Sequence, residues 1–582
     1  MLRTIWCTAP CIMAASVLGI ACKPAAKAPV EQSRPTGTVE MLDEICREVV
    51  GEPRVEIVNE RIFVALGYDL ANIVLVRTDE GNVVIDTGMS PARSLPAREA
   101  LLAKAPGDIV AVVFTHSHID HVGGADVFAN ESTPIWATDS LTEHFLKQYG
   151  EFAKAEMTRG SRQFGERVPL TQLPCSSLGR RTNIEAATKT GAMLPNKTFS
   201  GRTVFEVGGF SFELIEAHGE TADQLFVYIP ELKALFPGDN YYAAFPNLYS
   251  IRGTSPRPVN DWIRSLDAMR RFAPEHLVPS HTNPISGADE VRTALTRYRD
   301  GIQWVRDRVV QGANDGLPVD ELSQNIGLPS TLAEDRGLFE LYGQIDWSAR
   351  AIYTNKLGWF DGRPETLYPL KVQDRAERTI TMMGGTDAVW AAAKEAVDGG
   401  EHQWALDLLA LLRQAEGTTP DRVELTATAL EQLGLTIPNS NGRAYLLQSA
   451  IELREGQAEP TLVREYTPLL DATPLAYFFD VMATRLIPEE AEGVHESVQV
   501  EFTDVDKRYV LTIRNGIAEI IEGEPLPGTP EPVAIARTDA HTWRRLALGI
   551  TSPAKAIATG NFKVEGGVLA FRKFTNRFRK DL

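Results

Sequence analysis

The chain has 582 residues, too many for a single hydrophobic core, so about three to four domains are expected. Its formal net charge is -18, from 59 basic against 77 acidic residues, and no basic block appears, which argues against a nucleic-acid partner. Any anionic substrate must therefore be drawn by local charge, from metal ions and a few arginines, and not by the global field.

In chain order, Arg3 precedes a largely apolar stretch over residues 5–20, too short to span a bilayer comfortably and laid out like a secretory signal. It ends in Leu18-Gly19-Ile20-Ala21-Cys22, similar to a bacterial lipoprotein box with Gly19 where leucine is usual. The expectation is a periplasmic or secreted protein, either lipid-anchored to a membrane through Cys22 or released by a plain cleaved signal (residues 1–22). Residues 23–40, rich in Pro, Ala and Lys, read as a tether. With Cys7, Cys11 and Cys22 in the signal, Cys46 and Cys175 remain in the mature body. One disulfide between them is open in an oxidising compartment, and without a CxxC spacing thiolate ligation of zinc is not expected.

Residues 54–86 read as a meander of short strands punctuated by Gly and Asn, closing on Asp86-Thr87-Gly88. Residues 109–114 form another apolar strand, followed by Thr115-His116-Ser117-His118-Ile119-Asp120-His121-Val122-Gly123-Gly124. That stretch holds three of the chain's ten histidines and a carboxylate, and the two glycines are expected to turn the chain into a helix. Four such groups on one turn cannot surround a single ion without strain. They can split, His116 and His118 to one side and Asp120 and His121 to the other, each pair starting a separate metal site. Neutral imidazole with carboxylate oxygen suits zinc best among common divalent metals.

His-x-His-x-Asp-His after an apolar strand resembles the signature of the metallo-β-lactamase superfamily. The resemblance implies an αββα sandwich with a binuclear metal centre along one edge, and it makes Asp86 a brace for the metal loop. Where the superfamily has Gly-His-Thr, this chain has Gly219-Glu220-Thr221, so Glu220 takes the ligand place; His218, two residues earlier, is a rival on the same face if the segment is extended. A Glu there, leading into the apolar strand 225–229, narrows the resemblance to the linear alkylsulfatase branch. Asp239 in Gly238-Asp239-Asn240 stands where a bridging carboxylate is expected, although that branch carries Glu, and His281, in Val278-Pro279-Ser280-His281, stands at the end of a short apolar strand. The implied set is His116, His118 and Glu220 on one Zn2+, Asp120, His121 and His281 on a second, with Asp239 between. Two such ions, about 3.5–4 Å apart, share a hydroxide whose pKa is drawn toward neutrality.

Asn247-Leu248-Tyr249-Ser250-Ile251-Arg252-Gly253 is similar to the segment that places an arginine and an asparagine near the sulfate in alkylsulfatases. Arg252 offers the planar fork suited to a tetrahedral oxyanion, with Asn247 and Tyr249 as further candidates. The long insertion at 140–203 is expected to be a lid or disordered. Its Met157-Thr158-Arg159 and Gln163-Phe164-Gly165 resemble the alkylsulfatase lid, with Phe164 standing at the place of a tyrosine.

Beyond the catalytic domain, 41–330, residues 331–465 read as helices resembling the alkylsulfatase dimerisation domain, which implies a homodimer. Within them Trp359 or Phe360 is read as core packing, or else as a cap over a neighbouring active site. Residues 466–582 alternate and turn like an α/β sterol-carrier-protein-type domain, with 560–566 expected as a closing hairpin. The fold class is thus α+β and multidomain, and the implied activity is hydrolysis of small-molecule alkyl sulfate esters at two Zn2+ per chain. Alternatives are another ester, lactone or phosphodiester on the same centre, or a lipid-binding lipoprotein with a vestigial one.

Overall fold

The computed structural model describes residues 37–147, 151–182, 190–457 and 467–579. The signal, Cys22 and most of the tether lie outside the described residues, as does the expected boundary at 465/466. The tether ends earlier than read: the Thr38 hydroxyl accepts a hydrogen bond from the Met41 N–H and caps a helix, Val39–Ile45.

The β-branched runs of the first region become two facing sheets. β1 (Arg54–Ile57), β2 (Ile62–Leu66), β3 (Ile73–Arg77) and β4 (Asn82–Ile85) form the antiparallel meander, and β5 (Ile109–Val113), β6 (Ile135–Thr138) and β7 (Lys197–Phe199) add in parallel. The second sheet runs β8 (Arg202–Val207), β9 (Phe210–Glu216), β10 (Leu225–Ile229), β11 (Ala234–Phe236), β12 (His276–Leu277) and β13 (Ile285–Ser286). Both sheets are covered on both faces, so β2 is buried along its whole length and its period-2 alternation sorts side chains between two cores. Ile62, Val64 and Leu66 meet Phe212, Leu214 and Val227 between the sheets. Phe63 and Ala65 pack outward with Ala97 and Leu101 of α1 (Pro91–Lys104). On the far side, Phe226 and Leu235 pack under helices Val259–Arg271 and Ala288–Asn314. This is the expected αββα sandwich.

The insertion is folded where it is described, which corrects its reading as a disordered segment. It contributes α3 (Ala153–Phe164), introduced after the four-residue α2 (Ile119–Val122) of the histidine loop. Cys46 and Cys175 do form a disulfide, with Cα atoms 5.5 Å apart, tying the insertion to the start of the sandwich.

The middle region is a stack of helices ending in α4 (Ser440–Glu455), on which α3 lies through the ion pair Arg162–Glu452, with Arg167 just beyond α3 pairing with Glu455. Trp359 is 75% exposed and meets the Phe360 ring edge-on, contrary to the core packing expected of it. The tail forms a separate sheet of order β16 (Ile517–Glu522), β15 (Arg508–Arg514), β14 (Glu496–Phe502), β17 (Pro532–Thr538) and β18 (Phe562–Glu565), backed by Phe479, Trp543 and Phe574 from its helices. Residues 560–566 are not a hairpin: β18 is a single strand paired with β17, and the chain leaves it into a helix, Val568–Thr575.

Candidate metal centre

Asp86, the histidine loop, Glu220, Asp239 and His281 arrive at one edge of the sandwich, from the ends of β4, β5 and β9 and from the turns after β11 and β12. Asp86 organises them. It follows β4 at φ +57°, a left-handed conformation that Asp tolerates better than most residues. One carboxylate oxygen accepts the Thr115 N–H at 2.9 Å; the other accepts the Thr115 hydroxyl at 2.9 Å, the Ser280 hydroxyl at 2.7 Å and His121 Nδ1 at 2.8 Å. The chain does turn at Gly123 and Gly124, but the reason for glycine is crowding. A Cβ on Gly123 would lie 1.9 Å from the Met89 carbonyl oxygen, and one on Gly124 would lie 2.0 Å from Ser94 Oγ.

The imidazoles are held with one nitrogen committed to the protein and the other turned inward. His281 Nδ1 meets the Leu70 carbonyl at 2.9 Å, and His116 Nδ1 meets Thr115 Oγ1 at 3.0 Å. Carbonyl and carboxylate partners require Nδ1 of His281 and His121 to donate, which leaves Nε2 as a free lone pair. These inward atoms form two groups. His121 Nε2 lies 3.5 Å from Asp120 Oδ2, and His281 Nε2 lies 3.6 Å from the same oxygen. His118 Nδ1 lies 3.9 Å from Glu220 Oε1 and 2.9 Å from His116 Nε2. Asp239 belongs to both: Oδ1 is 3.5 Å from His121 Nε2, while Oδ2 is 3.2 Å from His281 Nε2 and 3.8 Å from His116 Nε2.

The donor set fits divalent metal ions. Bonds of 2.0–2.1 Å at tetrahedral angles put ligand atoms about 3.4 Å apart, and most of the separations above cluster around that value. His121 Nε2 and Asp239 Oδ1 are buried with no hydrogen-bond partner among the described residues, an arrangement that would be costly unless a cation accepts their lone pairs. The electrostatics divide the rings: His116 and His118 are held below the ordinary range, while the carboxylates gathered around His121 favour positive charge there. Burial pushes His116 and His118 well below the ordinary imidazole range, and the guanidinium groups of Arg252 and Arg257 add to this at His118. At His121 burial pulls down too, but Asp239, Asp120 and Asp86 outweigh it and hold the ring well above that range.

Glu220 and not His218 faces the cluster. His218 Nε2 pairs with Glu216 at 2.9 Å, and its side chain is 41% exposed. His276 likewise turns away, meeting Ser286 Oγ at 2.9 Å. Glu220 is fixed by the Asn240 side-chain oxygen, which accepts its backbone N–H at 3.0 Å, and by a buried ion pair between Oε2 and Arg257. Arg257 spends a second donor on the Asn247 carbonyl at 2.6 Å. Arg252 stands at the mouth, with one guanidinium nitrogen 3.4 Å from His118 Nε2, the atom facing away from the ligand group. Asn247 is buried, its N–H donating to the Tyr242 hydroxyl at 2.8 Å, and the Tyr249 hydroxyl lies 3.5 Å from Arg159.

Residues 66–281 match the metallo-beta-lactamase superfamily, 318–456 the alkyl sulfatase dimerisation domain and 466–580 the alkyl sulfatase C-terminal domain. A linear primary-alkylsulfatase from Pseudomonas sp. is 30% identical over 524 residues, spanning 88% of this chain and 77% of that protein. The chain belongs to the alkylsulfatase family. An (R)-specific secondary-alkylsulfatase from Pseudomonas sp. is 30% identical over 530 residues, 87% of this chain and 78% of that one. The solved stereoselective inverting sec-alkylsulfatase from Pseudomonas sp. superposes with a TM-score of 0.83 at 28% identity, covering 92% of this chain and 86% of its own.

Within this alkylsulfatase-family chain the shorter Asp239 still reaches both ligand groups, because Gly238 before it adopts φ +58° and brings the turn close to Thr115. Sequence reasoning missed Arg257, which sits in a Pro-flanked loop with no local signature. It also missed a buried apolar cluster beside the centre, which touches His281 through Leu70 and Tyr242. Leu70, Met89, Leu178, Tyr242, Ala244 and Tyr342 form one cluster with Ile119 and Phe164 against it, drawn from segments far apart in sequence. Tyr342 comes from beyond the sandwich and meets the Tyr242 ring at 5.8 Å, edge to face.

Proposed function

We propose that this chain hydrolyses alkyl sulfate esters to alcohol and sulfate at two zinc ions, one on His116, His118 and Glu220, the other on Asp120, His121 and His281, with Asp239 between. The observation that carries the reading is Asp239 shared by two groups of inward-facing donors, with the Arg252 fork directly beside them. Zinc bound there supplies Lewis acidity and brings a water's pKa down toward neutrality. Arg252 binds and orients the sulfate group, its planar donors matching two oxygens of the tetrahedral anion. Arg257 neutralises Glu220 from behind and leaves Oε1 as the inward oxygen. Asp86 and the Leu70 carbonyl hold the His121 and His281 rings in the ligating tautomer. The buried cluster of Leu70, Met89, Leu178 and Tyr342 excludes water from that side of the centre.

The Cys46–Cys175 disulfide supports an exported protein, since such bonds persist in oxidising compartments. Exposed Trp359, Tyr368 and Met382, at 75%, 89% and 90%, support a homodimer in which a second copy covers the helical region. The test is metal analysis with turnover of dodecyl sulfate before and after complete chelation. Loss of turnover on stripping and its return with zinc are expected. Turnover that survives removal of all metal, or activity confined to lactones or phosphodiesters, defeats the proposal.

A further inference from the structure

The Arg252 backbone is gripped by the insertion helix α3. Two side chains one helical turn apart, Arg159 and Gln163, reach the same peptide unit from both ends. Arg159 Nε donates to the Ile251 carbonyl at 3.1 Å, and Gln163 Oε1 accepts the Arg252 N–H at 2.8 Å. The same Gln163 oxygen accepts the Ser250 hydroxyl at 3.0 Å. Residues four apart on a helix lie on one face, which is what allows a single peptide plane to be held twice. Gln163 is buried, and its bond to the Ser250 hydroxyl is made away from competing water, while the two bonds to the peptide unit are partly buried. Between them on the helix sits Gly160, where an added Cβ would lie 3.9 Å from Arg252 Cδ, so the arginine stem runs close along the helix surface. Gly253, at φ +95°, then turns the chain away.

We infer that Gln163, with Arg159, is a positioning residue that sets where the Arg252 guanidinium stands, and therefore how tightly the sulfate group is held. This rests on the reading of Arg252 as the anion-binding group. An arginine side chain has four rotatable bonds, and its head is placed only as well as its backbone is. With the Ile251–Arg252 peptide plane fixed, the guanidinium is directed to the outer side of His118, 3.4 Å from Nε2. With the plane free to turn, the fork sweeps through several ångströms and the bidentate match is lost. Gln163 itself touches no substrate; its effect passes through Arg252.

The experiment uses the full-length zinc-loaded protein, with inorganic sulfate as the binding probe by titration calorimetry and dodecyl sulfate for KM and kcat. Gln163→Leu keeps the volume and removes the acceptor. Sulfate affinity is expected to fall about tenfold, with KM rising by a similar factor and kcat changing less, at parental metal content and melting temperature. Arg159→Lys keeps the charge, loses the Nε donor and is tolerated at a half-buried site; a several-fold loss of sulfate affinity is expected. Arg252→Lys runs alongside. If Arg252→Lys leaves sulfate affinity unchanged, the parent reading of Arg252 falls and this inference with it. If Arg252→Lys weakens sulfate while a folded, metal-loaded Gln163→Leu binds it like the parent, only the positioning role is overturned. Should Gln163→Leu fail to fold, parental sulfate affinity in Arg159→Lys overturns it instead.

Discussion

Replacing Asp86 by Asn tests whether the metal centre depends on a brace that itself touches no metal. Asn tolerates the left-handed backbone at this position, so the change isolates the carboxylate. The carboxylate accepts four hydrogen bonds, from the Thr115 N–H, the Thr115 and Ser280 hydroxyls and His121 Nδ1, at 2.7–2.9 Å. An amide offers one acceptor oxygen and one NH2. If the oxygen stays on the Thr115 N–H, the NH2 confronts three donors: the hydroxyls can rotate to accept, but His121 must move its proton to Nε2. That is the nitrogen 3.5 Å from both Asp120 and Asp239, and a protonated Nε2 cannot ligate. If the amide flips, the Thr115 N–H is orphaned instead. Each lost bond to a charged group costs roughly 1.5–3 kcal/mol. The expected result is a fall of about 10- to 100-fold in affinity for the ion on the Asp120, His121 and His281 side, with a smaller change at the other. Titration against a competing chelator, read by metal analysis, measures both sites. Two unchanged affinities with an unchanged melting temperature would refute the tautomer argument.

Gly123→Ala places a methyl 1.9 Å from the Met89 carbonyl, so a loss of about 3 kcal/mol or more is expected, seen as a lowered melting temperature with incomplete metal loading; parental values for both would contradict the packing described. Removing the disulfide by Cys46→Ala with Cys175→Ala frees a loop of 129 residues, worth about 5 kcal/mol in the chain-entropy limit, and an unshifted denaturant midpoint would contradict it. Burial raises the Asp69 carboxyl to about 6, despite hydrogen bonds from Met89 and Leu70. The native state therefore holds a proton that the unfolded chain releases near pH 4, so this group's contribution is full below that pH and is lost as pH rises through 6, by about 3 kcal/mol. Asp69→Asn should flatten that part of the stability profile of the metal-free protein. A parallel shift of the two profiles, with no change of slope between pH 4 and 6, would count against it.

Much of the centre's geometry was legible because its inward-facing groups are tied to local patterns. The histidine loop follows an apolar strand, Asp239 and His281 each follow one, and Glu220 keeps register between Gly219 and Thr221. Covalent neighbours set those geometries, so spacing alone carries them. Arg257, Tyr342 and the Gln163 grip were not legible, because each acts across contacts that only the closed fold creates; Tyr342 stands far from Tyr242 along the chain. The 560–566 segment misled for a related reason. Its glycines mark the ends of a strand, and the partner that makes it a strand, β17, lies well upstream. Trp359 misled because an apolar side chain looks the same in sequence whether it faces its own core or the outside.

The seam between sandwich and helices is no place to cut. The Phe245 N–H donates to the Phe339 carbonyl at 2.8 Å, Gly343 donates to Phe245 at 3.0 Å, and Ser440 donates to Leu341 at 2.8 Å, so a strip of backbone from the helical half is laced between both parts. Ser177 of the insertion adds its hydroxyl to the Leu341 carbonyl at 3.0 Å. A fragment trimmed at residue 330 would keep each metal-facing donor and yet lose the flank that Tyr342 supplies. Evolutionary shuffling of this hydrolytic module onto other partners would have to carry that strip along or rebuild the flank from nothing.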